Sequence, residues 1–371
     1  MTMAERPHRI LMTVDAVGGV WRYAMDLARG LRGFGVETMF AGLGPPPSQA
    51  QSAEANEIGT LLWLAAPLDW TVDCEDRLEP VSGLLAQLAL AHSIDLFHLN
   101  LPSQAAALAT ALPVVVVSHS CVVTWFEAVR GSDVPPAWAW QERRNRLGFK
   151  RAQTVVAPSR SHAAALLRCY GCLDKLKVVY NSSHLEACSM PKQDFVLAAG
   201  RWWDEGKNAI VLDGAAALAR WPILMAGPTG APSGQYYAID HATGLGELGH
   251  AQMMEFMAKA GIFSSPSLYE PFGLAVLEAA LAGAALVLAD IETYRELWDG
   301  VALFCEPRDC RAFANAINRF AGDKPMRAEF GAKAQARARI FSTDRQSRAM
   351  MKVYSSAVAD AGDFATGGAI A

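Results

Sequence analysis

Short unbroken apolar runs, spaced by stretches of helical periodicity, set the rhythm of this chain. Residues 9–14 form an apolar run, residues 20–33 carry helical spacing with a Gly-rich end, and residues 36–41 are apolar again. Runs at 61–64, 94–98, 113–117 and 154–157 predict further strands, with helices over 78–91, 102–111, 138–150 and 159–170. Strands of continuous Val, Ile and Leu, separated by helices, predict a parallel sheet covered on both faces. A strand over 175–180 gives way to a polar segment, 181–194, which carries Pro191 and reads as a linker. The alternation then restarts, with strands at 195–199, 223–226, 261–264 and 285–289 and helices at 208–219, 251–260, 274–282 and 309–320. A last helix over about 343–358 precedes a Gly/Ala-rich tail expected to be loose. The expected fold is α/β: two Rossmann-like, doubly wound domains facing each other across a cleft at the carboxyl ends of their sheets, where such folds bind ligands.

Bulk properties narrow the function. At 371 residues the chain has room for two domains of ordinary size. A hydrophobic fraction of 52% against 19% charged residues excludes wholesale disorder. A net charge of −4 offers no global attraction to nucleic acid. Seven cysteines, an odd number over a long chain, do not suggest a disulfide framework. Cys169 and Cys172 form one isolated pair without a second at zinc-site spacing, and Cys305 and Cys310 lack metal partners. The first residues lead straight into a strand without a signal-peptide core, and no run approaches the roughly 20 apolar residues of a spanning helix. The expectation is a soluble, cytoplasmic protein.

The most informative stretch is Glu270-Pro-Phe-Gly-Leu-Ala-Val-Leu-Glu278. A polar turn from Ser264 to Glu270 runs through Pro271 and Gly273 into an apolar helix-forming run. Such a strand–loop–helix passage exposes the unpaired amides of the first turn, which with the helix dipole attract phosphate. Glu270 lies just before the helix and Glu278 about one turn into it, so both can face that opening. Carboxylates accept paired hydrogen bonds from the vicinal hydroxyls of a sugar or ribose. A lone Glu commonly lies on a solvated face. Glu278, however, sits in a helix apolar nearly all round, where a buried carboxylate needs a partner or a ligand.

Other positions join it. Gly200-Arg201 follows a predicted strand and Lys207 comes six residues later, so both cations project from one strand-end loop. Arg offers a fixed fork for phosphate oxygens and Lys a mobile point charge. The alternative is a soluble surface, with Asp204 and Glu205 as salt-bridge partners. Gly18-Gly19 lies between the first strand and its helix, where backbone can approach a phosphate. The pattern is not Gly-x-Gly-x-x-Gly, so the dinucleotide fingerprint is absent. His119 stands at the carboxyl end of the 113–117 run, on the ligand face of its domain. There is no Asp-x-Asp handle for a metal holding a diphosphate, and no Gly-x-Ser-x-Gly elbow of an esterase. Ser159 reads as a helix N-cap. Trp138, Trp140, Arg143, Arg144, Arg146, Lys150 and Arg151 give a helix an aromatic end and a cationic flank. A solvated face is the plainer account, peripheral contact with the inner face of a membrane the other.

With Gly-Arg-x5-Lys at 200–207 and Glu-x7-Glu at 270–278 in place, the chain resembles the family-4 retaining glycosyltransferases of GT-B fold, over nearly its whole length. The resemblance implies transfer of a sugar from a nucleotide donor with retained anomeric configuration, without cofactor or metal. It assigns the diphosphate to Arg201 and Lys207, and the sugar hydroxyls to Glu270 with the amides of Phe272 and Gly273. The amides of Leu274 and Ala275 would face the phosphates, Glu278 the ribose, Gly19 (beside Gly18) the diphosphate, and His119 the transferred sugar. It divides the chain into an acceptor-side domain at 1–185, a nucleotide-sugar domain at 192–341, and a helix with tail at 342–371 crossing back toward the first. Acceptor contacts would come from first-domain loops such as 44–60 and 121–136. Asn181-Ser182 stands where the family usually shows Asn-Gly, and Asn208 where Gly is frequent. Two rivals on the same architecture are a nucleotide-sugar epimerase and a non-catalytic nucleotide-sugar-binding protein.

Overall fold

Continuous β-branched and leucine runs fold as expected into strands buried on both faces, Val114–Val117 and Ala285–Ala289 being buried at every position. The computed structural model describes residues 6–185, 190–231 and 234–367. The chain divides into two units, Met1–Ser182 with Thr343–Ala371, and Ser183–Ser342.

In the first unit β1 (Arg9–Asp15), β2 (Glu37–Leu43), β3 (Thr60–Trp63), β4 (Leu96–Leu99), β5 (Val114–Val117), β6 (Thr154–Ala157) and β7 (Leu176–Val178) pair in the order β3-β2-β1-β4-β5-β6-β7. Each pairing is parallel. The helices between them are α1 (Gly19–Arg32), α2 (Gln49–Ile58), α3 (Glu79–Ala91), α4 (Val122–Arg130), α5 (Ala139–Arg151) and α6 (Arg160–Tyr170). In the second unit β8 (Gln193–Ala199), β9 (Ile223–Ala226), β10 (Thr243–Gly246), β11 (Ala260–Ser265), β12 (Ala285–Ala289) and β13 (Ala302–Cys305) run in the order β10-β9-β8-β11-β12-β13, again all parallel. Its helices are α7 (Ala209–Ala216), α8 (His250–Lys259), α9 (Leu274–Leu281), α10 (Glu292–Trp298), α11 (Cys310–Gly322) and α12 (Lys324–Ala338). The last helix, α13 (Thr343–Gly367), belongs to the first unit and packs on α1 and β5. Each winding reverses direction once, between β1 and β4 and between β8 and β11, the switch points where ligands bind in such sheets.

Several expectations need correction. The helix expected over 102–111 is a single 3-10 turn, Pro102–Ala105. Arg151 donates to the carbonyls of Leu108 and Thr110, at 3.1 and 2.6 Å, which holds the rest of the stretch in an irregular path. The stretches 44–60 and 121–136, expected as loops, contain α2 and α4. Strands β10 and β13 and helices α10 and α12 had not been anticipated. The last helix runs beyond 358 to Gly367; residues 368–371 of the expected loose tail, and 186–189 of the expected linker, lie outside the described residues.

The cationic flank expected on α5 is largely occupied by the protein itself. Arg144 is buried and donates to the carbonyls of Ser103 and Leu78, while Arg143 pairs with Glu75 and Arg146 with Glu142. Trp140 is buried, and Trp138 remains 45% exposed. Among the described residues no helix is long and apolar enough to cross a membrane, and the described cysteines, Cys169 and Cys172 included, are free.

Candidate functional site

In the second unit, the loops leaving β8 and β11 at the switch point are knitted together. The Leu268 amide donates to Gly206 O at 2.9 Å, and Asn208 Nδ2 to Pro266 O at 2.9 Å and Pro307 O at 2.7 Å. Lys207 and Glu270, the cation of one loop and the acid of the other, form an ion pair whose side chains keep 20% and 17% of their exposure. Asn208 sits at φ 57, in the left-handed region. Asn enters that region more readily than most residues, which explains how it stands where the resemblance leads one to expect Gly.

Glu270 is followed by a turn that only glycine completes without strain. Gly273 has φ 88, and a Cβ there would lie 3.1 Å from Tyr294 Cε1 and 3.3 Å from Glu270 Cγ. Gly273 is the N-cap of α9 and provides no side-chain cap. The amides of Leu274 and Ala275 therefore remain unbonded among the described residues, while those of Val276 and Leu277 donate to Gly273 O, both at 3.1 Å. Phe272 is 3% exposed, its ring edge-on to Phe341 at 5.6 Å, so the side chain anchors the loop and leaves only backbone on offer. Behind it Tyr294 is fully buried and shares a 2.6 Å hydrogen bond with Ser265; burial and the nearby Glu270 charge push its phenol pKa up. Glu278 is 8% exposed on α9, the buried carboxylate expected there.

Arg201 shares this loop but is turned toward its own neighbours. Its guanidinium lies 3.4 Å from Asp204 and 5.4 Å from the Trp203 ring centroid, with 37% of the side chain exposed. The structure thus brings Lys207 and Glu270 into contact and leaves Arg201 beside Asp204.

In the first unit the candidates follow β1 and β5. Gly18, at φ 98, is the N-cap of α1 without a side-chain cap, and Gly18 and Gly19 are both exposed. The Gly19 and Val20 amides are unbonded among the described residues. By contrast α6 is capped as expected, Ser159 Oγ accepting from the His162 amide at 3.0 Å. His119 is half-buried against Tyr23, ring centroids 4.3 Å apart, and its Nε2 lies 2.9 Å from Asn100 Oδ1. Desolvation, reinforced by His98 and His162 nearby, pushes its pKa down to about 3. At neutral pH the ring is uncharged and acts as a hydrogen-bond partner, not as a cation.

Sequence reasoning missed the residues that hold His119. Asn100 also receives His98 Nε2 at 3.1 Å, and His98 Nδ1 meets the Tyr354 hydroxyl of α13 at 2.7 Å. His98 and Asn100 stand two apart at the end of β4, the spacing of one sheet face, which was a readable signal. Tyr354 lies 256 residues from His98, and nothing local announces it. Among the described residues no cluster of His, Cys, Asp and Glu could hold a metal ion.

Comparison with known proteins adds the family. The model described as Glycosyltransferase Family 4 matches residues 17–186, and the one described as Glycosyl transferases group 1 matches 231–337. A glycogen synthase of Mycobacterium tuberculosis is 38% identical over 100 residues, 26% of this chain and 24% of that enzyme, so the chain spans about a quarter of that relative's length. Among solved structures, sucrose-phosphate synthase from Thermosynechococcus elongatus superposes with a TM-score of 0.79 at 16% identity, covering 94% of this chain and 98% of that one. Anabaena HepE in complex with UDP-glucose gives a TM-score of 0.72 at 18% identity, covering 94% and 99%.

Proposed function

Because the chain belongs to the glycosyltransferases of GT-B fold, we propose that it moves a sugar from a nucleoside-diphosphate sugar to an acceptor hydroxyl, retaining anomeric configuration and using no metal. The observation that carries this reading is the contact of Lys207 with Glu270 beside the unbonded amides of Leu274 and Ala275. Cation, carboxylate and anion-binding amides converge at the adjacent ends of β8 and β11, the complement of a diphosphate next to a polyol. The fold neighbour solved with UDP-glucose supports a donor of that class.

The proposed step breaks the bond between the anomeric carbon and the diphosphate oxygen. Lys207, Arg201 and the first-turn amides of α9 take up the charge that develops on the leaving group. The acceptor oxygen bonds to the same face of the anomeric carbon, and its proton passes to the departing phosphate oxygen. Glu270, with the Phe272 and Gly273 amides, holds sugar hydroxyls, and Glu278 holds the ribose. Gly18 and Gly19 let backbone approach the diphosphate. His119, being neutral, accepts a hydrogen bond from a hydroxyl of the transferred sugar.

The test is a panel of nucleotide sugars and acceptors, with product anomers read by NMR and chelator added in parallel. Transfer with retention that survives chelator is expected, and about a hundredfold loss of turnover in Lys207→Ala and Glu270→Ala. Near-normal turnover in both variants overturns the reading. Epimerised donor without any acceptor product would move it to an isomerase.

A further inference from the structure

We propose that Asn100 is a positioning residue that fixes His119 as the Nε2–H tautomer, so that His119 Nδ1 can only accept a hydrogen bond, and the sugar position it serves selects a hydroxyl over a carboxylate. The inference rests on the assignment of His119 to the transferred sugar.

The direction of every hydrogen bond in this cluster follows from one backbone carbonyl. Asn100 Nδ2 lies 2.6 Å from Thr13 O, a group that only accepts, so the amide nitrogen must face it. Turning the amide over would set oxygen against oxygen at buried Thr13. A second anchor repeats the constraint: the Asn100 backbone amide donates to Thr13 Oγ1 at 2.8 Å, and that hydroxyl donates to Gln104 Oε1 at 2.7 Å. Asn100 Oδ1 is therefore the atom presented to the two imidazoles, 2.9 Å from His119 Nε2 and 3.1 Å from His98 Nε2. An amide oxygen has no proton, so both ring nitrogens must donate.

A neutral imidazole has a single N–H, and these two spend it on Asn100. The His98 ring verifies the logic independently. With Nε2 as donor its Nδ1 must accept, and what lies 2.7 Å away is the Tyr354 hydroxyl, a group able to donate. Tyr23 OH, 3.5 Å from His98 Nε2, lies on the same N–H side. Thr13, His98, Asn100, Tyr23 and Tyr354 are each at most 2% exposed, so water does not compete for these directions. His119 differs in one respect: its Nδ1 has no partner among the described residues. A hydroxyl can donate to that nitrogen. A carboxylate or phosphate, which only accepts, meets lone pair with lone pair.

Tautomers of 15N-labelled histidine, read by NMR at neutral pH, test the first half directly. The wild-type His119 is expected as the Nε2–H form. In Asn100→Leu, similar in size but without an acceptor, a mixture with the Nδ1–H form should appear. Tyr354→Phe, which removes only the donor to His98, should leave the His119 tautomer intact. The second half is a competition between a nucleoside-diphosphate hexose and the corresponding hexuronate. Wild type should favour the hexose at least about tenfold, one hydrogen bond's worth, and Asn100→Leu should reduce the preference to about threefold or less. An Nδ1–H His119 in the wild type, which needs no variant to fold, overturns this inference and leaves the glycosyl-transfer reading standing. So does an unaltered hexose preference in a folded Asn100→Leu. If no nucleotide sugar binds or turns over although the tautomer is as expected, both fall together.

Discussion

At the β4 and β5 ends of the first sheet, the buried His98 and Asn100 and the half-buried His119 are neutral and joined by hydrogen bonds. At the β8 and β11 ends of the second, Lys207 and Glu270 are ionised, partly exposed and accompanied by amides left unbonded. The two sheets share a winding pattern, all parallel with one reversal of order. What differs is the currency of recognition. Charges and helix ends attract an anion strongly but accept many anions, and salt weakens them. A desolvated network of fixed donors and acceptors adds little attraction, yet rejects a group with the wrong hydrogen-bond sense, because that leaves a buried polar atom unmatched. Under the proposed function, the charged half would hold the leaving group and the neutral half would inspect what is transferred.

The strongest way to break this comparison is to truncate one residue from each half. Lys207→Ala is expected to lower kcat about a hundredfold, and His119→Ala to lower kcat/KM only about tenfold, in steady-state assays. Equal losses would erase the distinction. Acid should weaken the first half. Burial drives His98 and His162 down to about 4 and His119 to about 3, against an ordinary value near 6.5 in the unfolded chain. Unfolding therefore takes up protons below about pH 6.5. The stability of the neutral network is fully present above that value, declines as pH falls, and is wholly lost below about 3. Each histidine adds about 1.4 kcal/mol per pH unit within that window. Melting curves of His162→Asn should show a shallower acid limb than wild type; an identical limb would mean that His162 is not held neutral.

Two smaller effects probe the second half. Gly273→Ala must place a Cβ at φ 88, 3.1 Å from Tyr294. A cost of about 1–2 kcal/mol is expected, lowering the melting temperature by roughly 2–8 °C, with transfer activity falling alongside. Asn208→Gly keeps the left-handed backbone and loses the bonds to Pro266 O and Pro307 O, for about 1 kcal/mol by denaturant titration. Asn208→Ala should cost more, since it loses the bonds and strains the backbone.

How much of this was legible beforehand depended on distance along the chain. The strands at 154–157, 223–226 and 285–289 were predicted to the residue, because apolar runs of four or five residues flanked by turn residues are too short for a helix. The β10 strand was not, since Thr243-Gly-Leu-Gly has little apolar surface and is held at the sheet edge by pairing with β9. Helix α2 was hidden by a polar, alanine-containing sequence, though Ser48 and Gln51 form a capping box that could have marked its start. In the candidate site, Lys207 and Glu270 were readable because each motif fixes its own loop. Their direct ion pair was not expected; the resemblance gave Lys207 the diphosphate and Glu270 the sugar hydroxyls, and only the tertiary structure brings the two side chains together. Asn100 and Tyr354 escaped because their significance lies in hydrogen bonds that only tertiary structure creates. The departure at Asn181-Ser182 became intelligible in the same way: Ser182 Oγ donates to Gln346 Oε1 on α13 at 2.7 Å, a bond glycine could not make.

That α13 closes the first unit has a consequence for biosynthesis. Tyr354, fully buried against His98, is added to the chain only after every residue of the second unit has been synthesised. The nascent first unit must wait, with the α1 surface around Gly30 still uncovered where Ser347 will later fit. The second unit, Ser183–Ser342, is complete in sequence earlier. Translation order and order of completion are thus reversed: a chain halted near residue 342 would hold the whole sequence of the second unit and still lack the helix that completes the first.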